Sequence, residues 1–286
     1  MNGFLFPGQG SQECGMGKII YEELASAREI LEKANDIVGF DLKELMFEGP
    51  IEKLTETQYA QPAIYTCSAM YLEKAREKGI EYQYVAGHSL GEYSALYAAG
   101  VFPFEDGLRL VSKRGEAMAA QNGQGTMAAV LGLTEEELLH YLIPGVVIAN
   151  LNTKTQIVIS GIESGIDEIS RVLSEHDIKV KKLSVSAAFH SPQMKEAAEV
   201  MKEEIEKTVF HNPSVKVISN VTGKITEDVQ TIKENLIAQI TGQVRWYDSI
   251  LAMKNAEIDQ FYEIGNGQVL RKMNKTITLK PKCSSL

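Results

Sequence analysis

Between an apolar run at Tyr82 to Ala86 and a small-residue helical stretch at Gly91 to Ala99, the chain carries Gly87-His-Ser-Leu-Gly91. Two glycines four residues apart around a serine, with a strand entering and a helix leaving, call for a sharp strand–turn–helix unit. Such units belong to mainly parallel sheets covered by helices. The flanking sequence agrees. Gly3 to Phe6 reads as a strand that runs into the turn-rich Pro7-Gly-Gln-Gly-Ser11. Apolar spacing predicts an amphipathic helix over roughly Lys18 to Val38, stopped at Gly39. Another is expected from Gln61-Pro62, with proline in its first turn, to just before Gly79. A further helix spans about Phe104 to Ala120.

The rhythm then changes. Thr126 to Leu133 alternates like a strand, and Thr134 caps a helix to about Leu142 with Glu137 in the capping-box position. Strands at Gly145 to Asn150 and Thr155 to Ser160, a helix at Ser164 to Glu175 and a strand at Ile178 to Val185 follow. The order βαββαβ is the ferredoxin-like split. The expected fold class is therefore α/β, with a small subdomain at 124–187 inserted into a larger domain of residues 1–123 and 188–286. The remainder returns to the first pattern: a helix over Pro192 to Lys207, a strand at Val215 to Ser219, helices near Lys233 and Trp246, and a strand at Gln260 to Ile264.

Bulk properties exclude several functions. A net charge of −9 argues against nucleic acid, which needs a basic surface. No apolar run approaches ~18 residues, so no membrane span is expected, and no secretory leader is legible. The cytoplasm is the expected compartment. Cys14, Cys67 and Cys283 are too scattered for a disulfide framework or a metal knuckle, so neither metal nor cofactor is expected. Cys283-Ser-Ser-Leu286 formally fits a prenylation box, but its middle positions are not aliphatic and it reads as a frayed terminus.

In the context of an incoming strand and an outgoing helix, Ser89 has the position of a nucleophile, lifted out of the backbone by the turn. The N–H of Leu90 points into such a site, and the helix N-terminus adds a favourable dipole. The plainer alternative is a Gly-Ser turn that caps a helix. A serine nucleophile needs a base, and five histidines are available. His88 should diverge from Ser89; His140 sits on an expected surface helix, and His176 and His211 lie in polar boundaries beside Asp177 and Asn212. His190 sits in the small, apolar Ser184-Val-Ser-Ala-Ala-Phe-His-Ser191, as expected where backbone crowds a pocket. No aspartate between Ser89 and His190 stands out as an orienting acid, so a Ser–His dyad is favoured over a triad.

Five blocks, in order, carry a resemblance over almost the whole chain: Phe6-Pro-Gly-Gln-Gly-Ser-Gln12, Gly87-His-Ser-Leu-Gly-Glu-Tyr93, Lys113-Arg-Gly-Glu-Ala-Met118, Ala188-Phe-His-Ser191 and Glu263-Ile-Gly-Asn-Gly267. The sequence resembles malonyl-CoA:acyl carrier protein transacylases and polyketide synthase acyltransferases. The resemblance implies an α/β-hydrolase-like domain with a ferredoxin-like insert and the active site in the cleft between them. It implies malonyl transfer from malonyl-CoA to the phosphopantetheine thiol of an acyl carrier protein, or of the carrier domains of a polyketide synthase, through acylated Ser89. His190 would serve as general base and acid, and the N–H groups of Gln9 and Leu90 as the oxyanion hole. Arg114 would clamp the malonyl carboxylate, the Gln239 carbonyl would orient His190, and Gln61 and Asn152 would line the pocket. Phe189 matches the malonyl-selecting form, in which an aromatic ring fills the space of an α-methyl branch. It sets the chain apart from the housekeeping fatty-acid type and favours a polyketide pathway, served in trans by a freestanding monomer.

Two competing functions follow from the same residues. An acyl hydrolase would keep Ser89 and His190 but has no need of Arg114. A catalytically dead docking protein would not need the intact Ser89, His190 and Arg114 set. For an acidic carrier protein to dock on an acidic chain, a local basic patch is expected from Lys179, Lys181, Lys182, Arg271, Lys272 and Lys275. Lys179 and Lys181 share one strand face.

Overall fold

The computed structural model describes all 286 residues, Met1–Leu286. In chain order, β1 (Asn2–Phe6) is followed by α1 (Lys18–Glu23), α2 (Ala25–Val38), α3 (Leu42–Glu48), α4 (Ile51–Thr55) and the long α5 (Thr57–Glu77). Next come β2 (Tyr84–Gly87), α6 (Gly91–Ala98) and α7 (Phe104–Ala119). The middle of the chain holds β3 (Thr126–Leu131), α8 (Glu135–Leu139), β4 (Val146–Thr153), β5 (Gln156–Gly161), α9 (Glu163–Glu175) and β6 (Lys179–Lys182). The last part holds α10 (Lys195–Lys207), β7 (Lys216–Ile218), β8 (Ile225–Thr226), α11 (Val229–Thr241), α12 (Trp246–Asn255), β9 (Gln260–Glu263), α13 (Val269–Ile277) and β10 (Lys282–Ser285).

The larger sheet has the order β10-β9-β1-β2-β7-β8, parallel throughout except for β8. Side chains alternate between its faces. Phe4, Phe6 and Val85 enter the core shared with Leu31, Met70 and Leu108 of α2, α5 and α7. Leu5, Ala86 and Ile218 point the other way, beneath Trp246, Ile250 and Leu270 of α12 and α13. Both faces are thus covered, as a parallel sheet requires. The neighbouring strands β1 and β2 deliver the loops at Pro7 and His88 to the carboxyl edge, where open α/β sheets bind ligands.

The smaller sheet is antiparallel, in the order β4-β5-β3-β6, which is the ferredoxin-like arrangement. One face packs Ala128, Val130 and Ile159 against Ile166, Ile169 and Leu173 of α9. From the other face, Met127 and Val158 join the larger core. A backbone splice ties the sheets together: Leu151 N–H donates to the Val244 carbonyl at 2.9 Å, and Val244 N–H to that of Ala149 at 2.8 Å.

Several local expectations are corrected. The helix expected over Lys18 to Val38 breaks at Leu24, whose φ of −115° and ψ of 128° are extended. Periodicity runs across the break because Ile20, Ala27 and Ile30 are buried on both sides of it. The helix expected from Gln61 starts a turn earlier, at Thr57, with Pro62 inside it. Burial of Thr57, Ala60 and Gln61 offsets the hydrogen bond that proline cannot make. β6 ends at Lys182 rather than Val185. The C-terminus is not frayed: Lys282 to Ser285 pair in parallel with Gln260 to Glu263. Its polar residues hide it from a search for apolar alternation.

Candidate active site

The turn between β2 and α6 holds Ser89 at φ 54°, a left-handed conformation that costs a side-chain-bearing residue energy and marks functional turns. Two glycines make the turn feasible. A Cβ on Gly87 would lie 1.9 Å from the Gly91 carbonyl carbon, and one on Gly91 only 2.1 Å from the Phe6 carbonyl oxygen. Asn220, beyond β7, clamps the turn from below. Its Oδ1 accepts from Ser89 N–H at 2.7 Å and its Nδ2 donates to the Gly87 carbonyl at 2.6 Å.

His190, on the segment before α10, also sits at positive φ (57°) and is buried to 4% exposure. Its Nε2 lies 2.7 Å from Ser89 Oγ and its Nδ1 lies 2.8 Å from the Gln239 carbonyl oxygen. A carbonyl only accepts, so Nδ1 carries the proton and Nε2 is left to accept from the Ser89 hydroxyl. Burial, followed by repulsion from Arg114, pushes the imidazole pKa down to about 3. The resting histidine is a neutral base.

Arg114 reaches the site from α7, which crosses the start of α5 closely: a Cβ on Gly115 would meet Gln58 Cα at 2.9 Å. The guanidinium is 1% exposed. It donates to Gln61 Oε1 at 2.8 Å, Gln239 Oε1 at 3.0 Å and Ser89 Oγ at 3.1 Å, and lies over the Tyr93 ring. Every one of these partners is neutral, and Nε has none. A buried cation without a carboxylate in contact is costly. The arrangement leaves Arg114 prepared for an anionic ligand beside Ser89.

These groups line a cavity of about 380 Å³. Gln9, Ser89 and Leu90 come from the larger sheet's loops, Arg114 and Met118 from α7, Met127 and Asn150 from the smaller sheet, and Val185, Phe189 and His190 from the segment that follows it. The amides of Gln9 and Leu90 donate to no protein acceptor, which leaves two N–H groups free at the cavity wall. Phe189 forms part of the wall beside His190. Gln61 and Asn152 do not line the cavity. Gln61 is fully buried behind Arg114, and Asn152 Oδ1 lies 2.8 Å from His88 Nε2, fixing a ring that packs near Trp246. Asn150, two residues earlier on β4, takes the lining position. Asn220 and Glu92 were missed as site residues. A polar residue just past the strand beside β2 is the only sequence sign of Asn220, and Glu92, directly after the second glycine in the first turn of α6, has the look of an ordinary helix glutamate. Of the expected cationic patch, Lys182 is engaged by Glu163 and Asp167, while Lys179 and Lys181 are exposed on β6.

Comparison with known proteins supplies the context. Residues 3–278 match the acyl transferase domain family. The chain is 43% identical over 288 residues to a malonyl CoA-acyl carrier protein transacylase of Bacillus subtilis, covering 98% of this chain and 91% of that protein. It is also 43% identical over 277 residues to the polyketide biosynthesis malonyl CoA-acyl carrier protein transacylase PksC of the same organism, covering 93% of each. The crystal structure of an acyl-carrier-protein-S-malonyltransferase from Bartonella henselae superposes with a TM-score of 0.95 at 37% identity, over 99% of this chain and 94% of that one.

Proposed function

The chain belongs to the acyl transferase domain family, and from that premise we infer that it transfers a malonyl group from malonyl-CoA to the phosphopantetheine thiol of an acyl carrier protein. The observation that carries this reading is the position of Ser89 Oγ, 2.7 Å from a neutral His190 and 3.1 Å from a buried, anion-ready Arg114. Ser89 is the nucleophile. His190 Nε2 takes its proton as Oγ attacks the thioester carbonyl, and the free amides of Gln9 and Leu90 receive the developing oxyanion. His190 then gives the proton to the departing CoA thiol. In the second half-reaction it takes the proton of the carrier thiol, which attacks the acyl-serine, and returns it to Ser89.

Electrostatics couples the two halves of the site. Arg114 opposes formation of the imidazolium. A malonyl carboxylate on Arg114 offsets that repulsion, so the correct acyl group makes His190 a stronger base. An acyl hydrolase on the same dyad gains nothing from such a cation. Phe189, beside the base, limits branching at the α-carbon of the acyl group. We assign the fold to a catalytic domain of residues 1–123 and 188–286 with an inserted subdomain of 124–187, the cavity drawing Met127 and Asn150 from the insert. The enzyme acts as a cytoplasmic monomer and in trans, for polyketide or fatty-acid synthesis. A transfer assay tests the reading. Carrier protein should gain a malonyl group with wild type and not with a folded Ser89→Ala protein; undiminished transfer by Ser89→Ala would overturn it.

A further inference from the structure

Glu92 is a carboxyl group inside the protein for which the transfer chemistry above has no use. It lies on the first turn of α6, 3% exposed, behind the nucleophile. Its Oε2 accepts from Gln239 Nε2 at 2.5 Å and its Oε1 from Asn220 N–H at 3.2 Å. Gln239 is fully buried and acts as a relay. Its Nε2 faces Glu92 and the Ser89 carbonyl, its Oε1 receives Arg114, and its backbone carbonyl receives His190. An anionic Glu92 can only accept, and this fixes the amide with nitrogen toward Glu92 and oxygen toward Arg114.

We propose that Glu92 is the resting counter-charge of Arg114, a positioning residue acting through Gln239, and that it takes up a proton from solvent when a carboxylate-bearing acyl group seats on Arg114. The proposal rests on the malonyl reading of the site. An empty pocket holds one buried cation and one buried anion. A malonyl carboxylate adds a second anion to the same low-dielectric region, and protonation of Glu92 restores the balance. The proton leaves again when the malonyl group departs on the carrier thiol.

The surroundings suit a group that changes charge. Arg114, from α7, is the charged residue that faces Glu92; α11 and the turn after β7 offer Gln239, Asn220 and Ser219, and the Tyr93 phenol neighbours it on α6. His190 lies beyond the Gln239 carbonyl. Burial raises the Glu92 pKa to about 7, against the pull of Gln239, Asn220, Ser219 and Arg114. Ser219 Oγ is buried with no fixed partner. A hydroxyl there can donate to the carboxylate and accept from the carboxylic acid, so both states can be satisfied.

Binding of malonyl-CoA and of acetyl-CoA to the Ser89→Ala protein, followed calorimetrically near pH 7 in two buffers of different ionisation enthalpy, counts the protons. Acetyl-CoA carries the same phosphates without the carboxylate, so the difference isolates the acyl end. Malonyl-CoA should take up roughly half a proton more than acetyl-CoA. By linkage, the wild-type malonyl-to-acetyl ratio of kcat/KM should fall about three- to tenfold as pH rises from 6 to 8.5, because the resting pKa of His190 in the free enzyme is common to both donors and cancels. Glu92→Gln should abolish both effects. Equal proton uptake from two esters that both bind, or a difference that survives in Glu92→Gln, would overturn the proposal. Should Glu92→Gln not fold, the proton count and the wild-type ratio decide it. Failure of wild type to form any malonyl-enzyme is read separately, by mass, and would remove the malonyl reading and this proposal together.

Discussion

Arg114→Ala separates recognition of the acyl group from the rest of the chemistry. The side chain is 1% exposed, and all three of its hydrogen-bond partners are neutral. Its removal leaves a malonyl carboxylate without a cation in a buried site. Truncating one partner of such a pair costs about 2–5 kcal/mol, or ~30- to 5,000-fold in kcat/KM for malonyl-CoA. The same change strands Gln61 Oε1 and Gln239 Oε1, each an unsatisfied buried acceptor worth about 1–3 kcal/mol of stability. Loosening of Gln239 also loosens His190, whose Nδ1 it holds. Those losses act on every acyl donor alike, so they cancel in the ratio of malonyl to acetyl transfer. The assay is competition between malonyl-CoA and acetyl-CoA, with circular dichroism to establish the folded fraction. The ratio should fall by at least ~30-fold, with acetyl transfer per folded enzyme reduced only by the loosening of His190 that both donors share. An unchanged ratio, or a wild type that prefers neutral acyl groups, would refute the clamp and favour the hydrolase.

Other consequences are equally direct. Because burial and Arg114 hold the His190 pKa near 3, the base stays neutral as pH falls; acetyl-CoA acylation should show no limb near the ordinary histidine value of ~6.5, and a midpoint between 6 and 7 would contradict this. His190→Ala should slow acylation about 10²–10⁴-fold in a stopped assay, and a smaller loss would demote it. Phe189→Ser should raise methylmalonyl relative to malonyl transfer, by no more than about 10- to 200-fold for a single methyl; a static ratio in competition would make Phe189 packing only. Reversing the exposed Lys179 and Lys181 to glutamate should raise the apparent KM for carrier protein at low salt, where steering is strongest, and spare self-acylation. An unchanged KM there would remove β6 from the docking surface.

The strand–turn–helix unit that carries Ser89 was legible because its geometry is local. Gly87 and Gly91 are needed by contacts within the strand–turn–helix unit itself, and the motif states them. The ferredoxin-like order was legible for the same reason, since each strand and helix there carries its own periodicity. The histidine that meets Ser89 was narrowed by the small residues around His190, but its orientation depends on a Gln239 carbonyl 49 positions away, which only the family resemblance suggested. Asn220 was illegible: it reaches Ser89 across 131 residues, and nothing in its neighbourhood distinguishes it from an ordinary turn residue. Glu92 looks like a surface glutamate in an eight-residue helix until the packing of α11 buries it. Gln61 and Asn152 show the converse. Their sequence positions suggested a lining role, whereas tertiary contacts turn both side chains to hold other residues, Arg114 and His88.

The central claim is that malonyl passes through a covalent ester on Ser89. Intact mass of the enzyme after mixing with malonyl-CoA, with peptide mapping of the product, measures it most directly. The account predicts a mass increase of one malonyl group located on Ser89, lost on addition of carrier protein as the carrier gains the same mass, and absent in Ser89→Ala. A carrier malonylated at full rate with no modified enzyme, or a modified residue other than Ser89, would contradict it.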